Sequence, residues 1–412
     1  MNNLIKIAFR NLYRQKRRSL LTIAIISVGV VAVLLFSALS GAFKNMMVGQ
    51  ITDSMLGHLQ IHRRGYVSSL DNLPLDKTIN TKQMNKISVV LDKIPQVEAY
   101  SKRILMGGML SNYMETTNIK VAGINPKDES IVTPLLTSRI KQGAMLKKGE
   151  ILLPELVTKG MKLKVGQSIV LIVNNVDGSV NGQNFKISGI VESVIGPTGK
   201  YGYIHIDDAK TILRMDKPEF SEIAIRLNKI SSLDNVVKQI SFESSNIMKN
   251  KQGKPLFEVH SWKKLSPFYN VAKMIDIMDL FINILLIAIV LISILNVMIM
   301  AVYERIKEIG TLTAMGTLPG KIRVMFLLEG FFLGFFGSAF GSIVGVILII
   351  ATKFAHITIA FGRNENILIN PSIPFDQMAL ITVISTIIAV LASLQPAIKA
   401  SHMNPIDALR HS

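Results

Sequence analysis

Two glycine–lysine segments come nearest to nucleotide chemistry in this chain of 412 residues. A phosphate-binding loop has four residues between its glycines and a Ser or Thr after its lysine, because backbone N–H groups and the lysine must surround the phosphates. The segment at residues 196–200 has two residues between its glycines and Tyr201 after its lysine. The segment at 316–321 has three, followed by Ile322. Neither fits, so we predict no ATP binding and no cofactor.

Histidine and cysteine usage gives no other reactive centre. His58 and His62 lie in a run that reads as a strand, where both fall on one side, but no acidic ligand is placed beside them in the sequence. The chain has no cysteine, which removes thiolate metal sites and cysteine nucleophiles. We therefore predict neither a catalytic residue nor a metal site, and expect the external part of the chain to fold without disulfides.

The most informative segment is Tyr303–Ile322, a charged stretch between two long apolar runs. It is too short to be a domain, but its pattern is helical. An apolar ridge can form along such a helix from Ile306, Ile309, Leu312, Thr313 and Met315. A ridge of this kind suits a groove in a partner protein, and it equally suits a helix lying on a lipid surface. The spacing alone leaves both open.

Four long apolar segments surround and position this stretch. About 20 apolar residues cross the roughly 30 Å of a bilayer core, and charged residues make up only 18% of the chain. The first segment is longer than the apolar core of a signal peptide, so we expect it to be retained. Glu329 is the one charge inside the four apolar windows, which are Ser19–Phe43, Leu280–Tyr303, Val324–Thr352 and Gln377–Ile398. It could pair with a nearby basic residue or reach the headgroups. The predicted spans are residues 19–43, 274–303, 322–353 and 376–398.

Basic residues near the span ends predict the orientation, because they accumulate on the cytoplasmic side. Six precede the first span, namely Lys6, Arg10, Arg14, Lys16, Arg17 and Arg18. We therefore expect an amphipathic helix at 1–18, the segment 304–321 and a tail at 399–412 to be cytoplasmic. The segment 44–273 and a loop at 354–375 are expected outside.

The fold class predicted is thus an α-helical membrane protein with four transmembrane helices and an external α+β domain between helices 1 and 2. Short strands at Leu59–His62, Ala99–Leu105 and Glu222–Leu227 alternate with helical stretches. Residues about 106–205 are strand-rich and are expected to form a second subdomain inserted into the first. The net charge of +18 is spread along the chain without a binding module, so nucleic acid is not an expected partner.

The third span carries a stripe of glycines with spacings of three and four. Small residues on one helix face let another helix approach closely, so a packing seam is predicted. The stripe consists of Gly330, Gly334, Gly337, Gly341 and Gly345.

Three separated segments resemble the FtsX-like permeases, which include MacB-type efflux and lipoprotein-releasing Lol-type subunits of type VII ABC transporters. The stretch ERIKEIGTLTAMG with IRVMFLLEGFFLGFFGSAFG resembles their coupling helix and third membrane helix. The start, AFRNLYRQKRRSLLTIAIISVGV, resembles their first helix, and the end, PAIKASHMNPIDALR, resembles their tail. The resemblance covers all four spans.

The resemblance implies a bacterial inner-membrane permease with a periplasmic domain, working as a homodimer or heterodimer in contact with membrane lipid. It implies that a separate cytoplasmic ABC ATPase docks on the charged segment and that this chain is not itself an enzyme. A periplasmic carrier, adaptor or hydrolase is a further expected partner. The residues implied to couple to the ATPase are Glu304, Lys307, Glu308, Ile309, Gly310, Leu312, Met315 and Gly316.

Three functions fit this family. The chain could extract lipoprotein, lipid or another amphiphile from the outer leaflet. It could serve macrolide or peptide efflux with an adaptor and an outer-membrane tunnel, or transmit force to a cell-wall hydrolase. The hairpin segment Asn174–Asn184 is short and has no proline, unlike the hook of the carrier-recruiting lipoprotein subunit, which argues against that role. Thr313 and Pro319-Gly320 replace basic residues of many relatives. The sequence does not identify the substrate.

Overall fold

The computed structural model describes residues 2–175, 177–193, 199–247, 249, 253–356, 358–361 and 364–403. Residues 404–412 of the predicted tail and 196–198 of the first glycine–lysine segment lie outside the described residues. The helices are α1 (Asn2–Arg14), α2 (Lys16–Ile51), α3 (Thr81–Leu91), α4 (Pro126–Val132), α5 (Leu135–Ser138), α6 (Glu155–Gly160), α7 (Ile206–Ile212), α8 (Leu233–Ile247), α9 (Trp262–Leu265), α10 (Phe268–Glu304), α11 (Ile306–Ala314), α12 (Pro319–Phe354) and α13 (Phe375–Ser401). The strands are β1 (Leu59–Arg63), β2 (Ile79–Asn80), β3 (Val97–Ser111), β4 (Thr116–Ile124), β5 (Ile140–Gly143), β6 (Glu150–Pro154), β7 (Ser168–Asn174), β8 (Val180–Val191), β9 (Tyr201–His205), β10 (Glu219–Phe220), β11 (Glu222–Leu227), β12 (Phe257–Ser261), β13 (Thr358–Phe361) and β14 (Asn364–Leu368).

The chain forms two compact units. The membrane unit comprises residues 1–46, 273–360 and 365–412, and the intervening domain comprises residues 47–272 with 361–364. In the described part of the chain, four helices are long and apolar enough to cross a membrane, with mean hydropathies of 2.7, 3.0, 2.3 and 2.1 in chain order. The prediction of four transmembrane helices is confirmed. All four helices begin before the predicted spans and end after them, and the largest extension is at the end of α2. Helical structure does not stop where the apolar run stops.

The core of the membrane unit is built from the apolar faces of the long helices. Ile26 and Leu34 of α2, Met298 of α10 and Phe326 of α12 are completely buried there, and Ala389 of α13 joins them. The opposite faces keep large apolar side chains exposed, as expected for helices surrounded by lipid rather than water.

The intervening domain is organised around a sheet with strand order β12-β1-β11-β3-β4-β9-β6-β8-β5, and β7 pairs with β3 and β8. The predicted hairpin is present: β7 pairs antiparallel with β8 from Ser168–Lys186 to Asn174–Val180, so the turn between them is short. The sheet and the helices α3 to α9, which lie in the same domain, confirm the α+β prediction.

One long strand, β3, belongs to both of the predicted subdomains. Its first half, Val97–Arg103, pairs with β11, and its second half, Ile104–Ser111, pairs with β4. The predicted insertion at about 106–205 therefore starts inside a strand that serves both halves. The hydrogen-bonded sheet runs through the boundary, because a continuous strand leaves no linker at that point.

A buried charged cluster lies across three neighbouring strands of this domain. The sheet register places Glu222 of β11 opposite both His62 of β1 and Arg103 of β3. The Arg103 Nη1 atom donates to Glu222 Oε1 at 2.9 Å, and Arg103 Nη2 donates to Glu129 Oε1 of α4 at 2.6 Å. His62 Nε2 lies 3.4 Å from Glu222 Oε2. The four side chains fix the positions of β1, β3, β11 and α4 through charged hydrogen bonds.

The cluster makes the stability of the intervening domain depend on pH. Burial raises the pKa of Glu222, but hydrogen bonding from His62 and the charge of Arg103 outweigh burial, so the pKa lies below its ordinary value. A carboxylate with a lowered folded-state pKa stabilises the fold above its unfolded pKa of about 4.3, and this stabilisation is lost as pH falls through the folded-state pKa. We expect the free energy of unfolding to fall as the pH is lowered below about 4.3.

Fluorescence of Trp262, the one tryptophan in the chain, reports unfolding of this domain in the full-length protein. Denaturant titrations between neutral and acidic pH should show a smaller pH dependence for Glu222→Gln than for the unchanged chain. An identical pH dependence in the two proteins would show that Glu222 does not contribute.

Candidate coupling site

The predicted charged segment folds as a short helix between two long ones. The helix α10 ends at Glu304, Arg305 leaves helical geometry with φ −109° and ψ 17°, and α11 follows. Gly316 has φ +84°, a conformation that glycine adopts at low cost, and it reverses the chain after α11. Pro319 then stands in the first turn of α12, where its missing N–H costs nothing.

The predicted apolar ridge is divided between two faces of α11. Ile306 and Ile309 are buried, with 9% and 1% of their surface exposed, and Ile309 belongs to the core of the membrane unit. Met315 is 70% exposed. Two of the five ridge residues, Ile306 and Ile309, therefore pack against the chain's own helices. Docking of a partner on the rest of the segment stays a prediction.

Six of the eight predicted coupling residues do reach the surface. Ile309 and Gly310 are the two that lie inside. The other six lie on the outward face of α11 or in the turns beside it. Leu312 is half-buried, and the five exposed residues are Glu304, Lys307, Glu308, Met315 and Gly316. Leu318, which the pattern did not indicate, is also 63% exposed in the turn that follows. The outward surface combines charges with three apolar side chains, those of Leu312, Met315 and Leu318.

A buried ion pair fixes the start of α11 to α12. Arg305 Nη1 donates to Glu329 Oε1 at 2.8 Å, with 10% and 8% of the two side chains exposed. The amide of Asn11 in α1 donates to the same oxygen at 2.7 Å. Burial lowers the pKa of Arg305, but the charge of Glu329 outweighs burial and the pKa lies above its ordinary value. The sequence left two positions open for Glu329, paired with a basic residue or reaching the headgroups. The structure shows it paired with Arg305.

Weaker contacts connect the same region to three other helices. Arg305 Nε also donates to Glu308 Oε2 at 3.0 Å within α11. The Arg14 guanidinium of α1 lies 3.6 Å from Glu308, and Arg18 of α2 lies 3.4 Å from Glu304. The Lys399 ammonium of α13 donates to the hydroxyl of Tyr303, at the end of α10, at 2.8 Å. The segment is thus joined to every long helix of the unit and can pass displacement to them.

The glycine stripe of α12 lies against two other helices of the same chain. A Cβ added at Gly330 or Gly334 would lie 2.6 or 2.5 Å from a side-chain atom of Ser393 or Ala389 in α13. The other three glycines face α2, where a Cβ at Gly341 would lie 2.8 Å from the backbone oxygen of Ser27 and one at Gly337 2.7 Å from Ile26. A Cβ at Gly345 would meet Leu34 at 2.8 Å. The absence of side chains at these five positions thus permits close helix contact within one chain.

Substituting Gly341 tests this packing. We expect Gly341→Ala to lower the free energy of unfolding by about 1–3 kcal/mol, because a methyl group forces the backbones of α12 and α2 apart. The matched control is Gly41→Ala, also in a long helix, where a Cβ would meet no atom within 4 Å. Thermal unfolding in detergent compares the two. Equal melting temperatures for both variants would show that the seam at Gly341 is not tight.

Family comparisons match both units. A family model described as FtsX-like permease C-terminal matches residues 280–405. A second, described as MacB-like periplasmic core domain, matches residues 19–241, more than half of the chain. The charged segment and the glycine stripe fall within the first match, and the sheet of the intervening domain falls largely within the second.

Individual relatives extend this similarity. The lipoprotein-releasing system transmembrane protein LolC of Neisseria meningitidis is 24% identical over 413 residues, covering 95% of this chain and 94% of that protein. The macrolide export ATP-binding/permease protein MacB 1 of Aeromonas hydrophila is 33% identical over 118 residues, covering 29% and 17%. A solved structure, the periplasmic region of MacB from Actinobacillus actinomycetemcomitans, aligns with a TM-score of 0.35 at 12% identity, covering 51% and 92%.

Proposed function

Because this chain belongs to the FtsX-like ABC transporter permeases with a MacB-like periplasmic core domain, we propose that it extracts a lipoprotein, lipid or other amphiphile from the outer leaflet of the inner membrane. In this proposal a separate cytoplasmic ATPase binds the outward face of α11. Two permease copies, or this chain and a paralogue, form the membrane part. Both termini are cytoplasmic, and the intervening domain is periplasmic.

The observation that carries the proposal is the attachment of α11 to the membrane helices. Arg305 holds α11 to α12 through the buried Glu329, while Glu308 and Glu304 contact α1 and α2. A short helix held this way moves together with the long helices when a partner pushes it. ATP hydrolysis outside this chain can then drive the periplasmic domain without nucleotide binding inside it.

Lipoprotein release is favoured over efflux by the extent of the similarity. The relative named for lipoprotein release aligns along almost its entire length, whereas the relative named for macrolide export aligns over 17% of its length. Efflux through an adaptor and tunnel, and force transmission to a hydrolase, remain the competing functions. Neighbouring genes for a lipoprotein carrier, an adaptor–tunnel pair or a hydrolase distinguish the three.

Reconstitution tests the proposal. The full-length chain and the ATPase that co-purifies with it are placed in proteoliposomes with a triacylated lipoprotein, and its ATP-dependent release to a soluble carrier is measured. We expect release that requires ATP, and no hydrolysis by the permease chain alone. Hydrolysis by the isolated chain, or an active complex that neither releases nor is stimulated by any acylated protein or lipid, would contradict the proposed function.

A further inference from the structure

A continuous apolar groove runs between α2 and α10 on the membrane unit. It consists of two adjoining cavities of about 800 and 360 Å³. Leu21 and Ile25 of α2 line both cavities. On α10, Val297 and Met300 line the first and Ile289 lines the second. The groove is therefore one surface that continues along the two helices.

The end of this groove next to the start of α2 is strongly basic. Four consecutive or near-consecutive cations line the first cavity, namely Arg14, Lys16, Arg17 and Arg18, against one acid, Glu304. Arg18 contacts Glu304 at 3.4 Å, and Arg14 lies 3.6 Å from Glu308. Within the described residues, Lys16 and Arg17 pair with no carboxylate. Lys16 instead lies over the ring of Tyr13, with 4.6 Å between its Nζ atom and the ring centroid. The groove end thus carries positive charge that no carboxylate among the described residues neutralises.

The length of the groove matches one leaflet of a bilayer. Its apolar lining on α2 runs from Leu21 to Ala32, a rise of about 16 Å at 1.5 Å per residue. Half of a hydrocarbon core of about 30 Å is about 15 Å. The apolar part therefore has the length of an acyl chain, and the basic part lies where the headgroup of that lipid would be.

The geometry points to a binding site for an anionic phospholipid of the leaflet next to the basic end, which by the basic-residue rule is the cytoplasmic leaflet. The phosphate and any further anionic group of the lipid contact Lys16 and Arg17, and one acyl chain fills the groove between α2 and α10. The site depends on insertion of these helices in a bilayer and not on the cargo that is transported. It is separate from the outer-leaflet substrate of the proposed function.

Nitroxide quenching in vesicles tests the site in the full-length chain. The chain has no cysteine, so Met300→Cys, at a groove position 57% exposed, carries a single bimane label. Quenching is titrated with spin-labelled phosphatidylglycerol and, separately, spin-labelled phosphatidylcholine. A lysine or arginine near an anionic lipid contributes about a fivefold preference. We expect half-quenching at a mole fraction of phosphatidylglycerol at least about fivefold lower than that of phosphatidylcholine.

Two controls separate a site from general attraction to anionic lipid. The label at Ile343→Cys, 60% exposed on α12 and outside the groove, should show nearly equal quenching by the two lipids. Lys16→Gln/Arg17→Gln should bring the ratio at position 300 close to one. Lys6→Gln/Arg10→Gln removes the same charge from α1, outside the cavity lining, and should leave the ratio unchanged.

Three results would overturn the inference. The first is a ratio near one at position 300 in the unchanged background. The second is an equal fall of the ratio in both double variants, which would mean general electrostatic attraction. The third is weak quenching by both lipids together with efficient cross-linking between two chains through the thiol introduced by Met300→Cys, which would mean that a second copy fills the groove.

Discussion

Replacing Glu329 with alanine is expected to lower the free energy of unfolding of the membrane unit by about 3–5 kcal/mol, because the change leaves the buried Arg305 charge without its main partner. Arg305 Nη1 and Glu329 Oε1 are 2.8 Å apart, and both side chains are at least nine-tenths buried. The Asn11 amide loses its acceptor in the same change. Thermal unfolding in detergent, with ATPase co-purification as a second readout, measures the effect.

Two further variants separate the buried pair from an ordinary surface contact. Glu304→Ala removes a carboxylate that is 44% exposed beside Arg18, and it should cost about 0–1 kcal/mol. The double variant Arg305→Met/Glu329→Met removes both charges and should recover most of the loss, because no unpaired charge remains buried. If Glu329→Ala unfolds at the same temperature as Glu304→Ala, the pair does not stabilise the junction.

The membrane part of the fold could be predicted from the sequence because its signal is local. Uninterrupted apolar runs specify the four long helices, and the three- and four-residue spacing of glycines specifies one face of α12. Which helix each glycine contacts could not be predicted, since Gly334 faces α13 while Gly337, one turn later, faces α2. That assignment depends on the positions of helices distant in sequence.

The intervening domain shows where local signals end. Its short strands were predicted near their observed positions, but the strand β3 joins two halves that the sequence suggested were separate. The Arg103–Glu222–His62 cluster was not predicted, because its members come from three strands and only the register brings them together. A buried charge has no periodic signal of its own.

The sequence predicts the coupling segment as a helix, but it does not determine which face of that helix is buried. A periodic ridge on a short helix looks the same in sequence whether it faces a partner or the chain's own core. Ile309 is buried in the core of the membrane unit, whereas Met315 and Leu318 are exposed. The one sequence signal for this arrangement is Glu329, a single acid in an apolar run that could pair with a basic residue or reach the headgroups. The structure shows the pair with Arg305.

Met315→Asp is expected to weaken binding of the partner ATPase by about 2 kcal/mol, or roughly thirtyfold, because it places a charge at an exposed apolar position of the proposed interface. Met315 is 70% exposed, so the fold of the membrane unit should be preserved. The amount of ATPase retained on affinity-purified permease measures the change.

Met114→Asp is the matched control for this substitution. Met114 is 91% exposed in the intervening domain, and the same change there should leave ATPase retention unaltered. If Met315→Asp retains as much ATPase as Met114→Asp does, the outward face of α11 is not the docking surface.

In the proposed mechanism, an ATPase stroke at α11 moves the periplasmic domain. Because the chain has no cysteine, Met114→Cys places one spin label on that domain in each of two permease copies, and pulsed electron paramagnetic resonance measures the distance between them in nanodiscs. We predict that the distance distribution shifts when ATP and vanadate trap the ATPase, and that the shift is absent from complexes with Glu329→Ala in both copies. A distribution that stays the same while the bound ATPase hydrolyses ATP would contradict the coupling account.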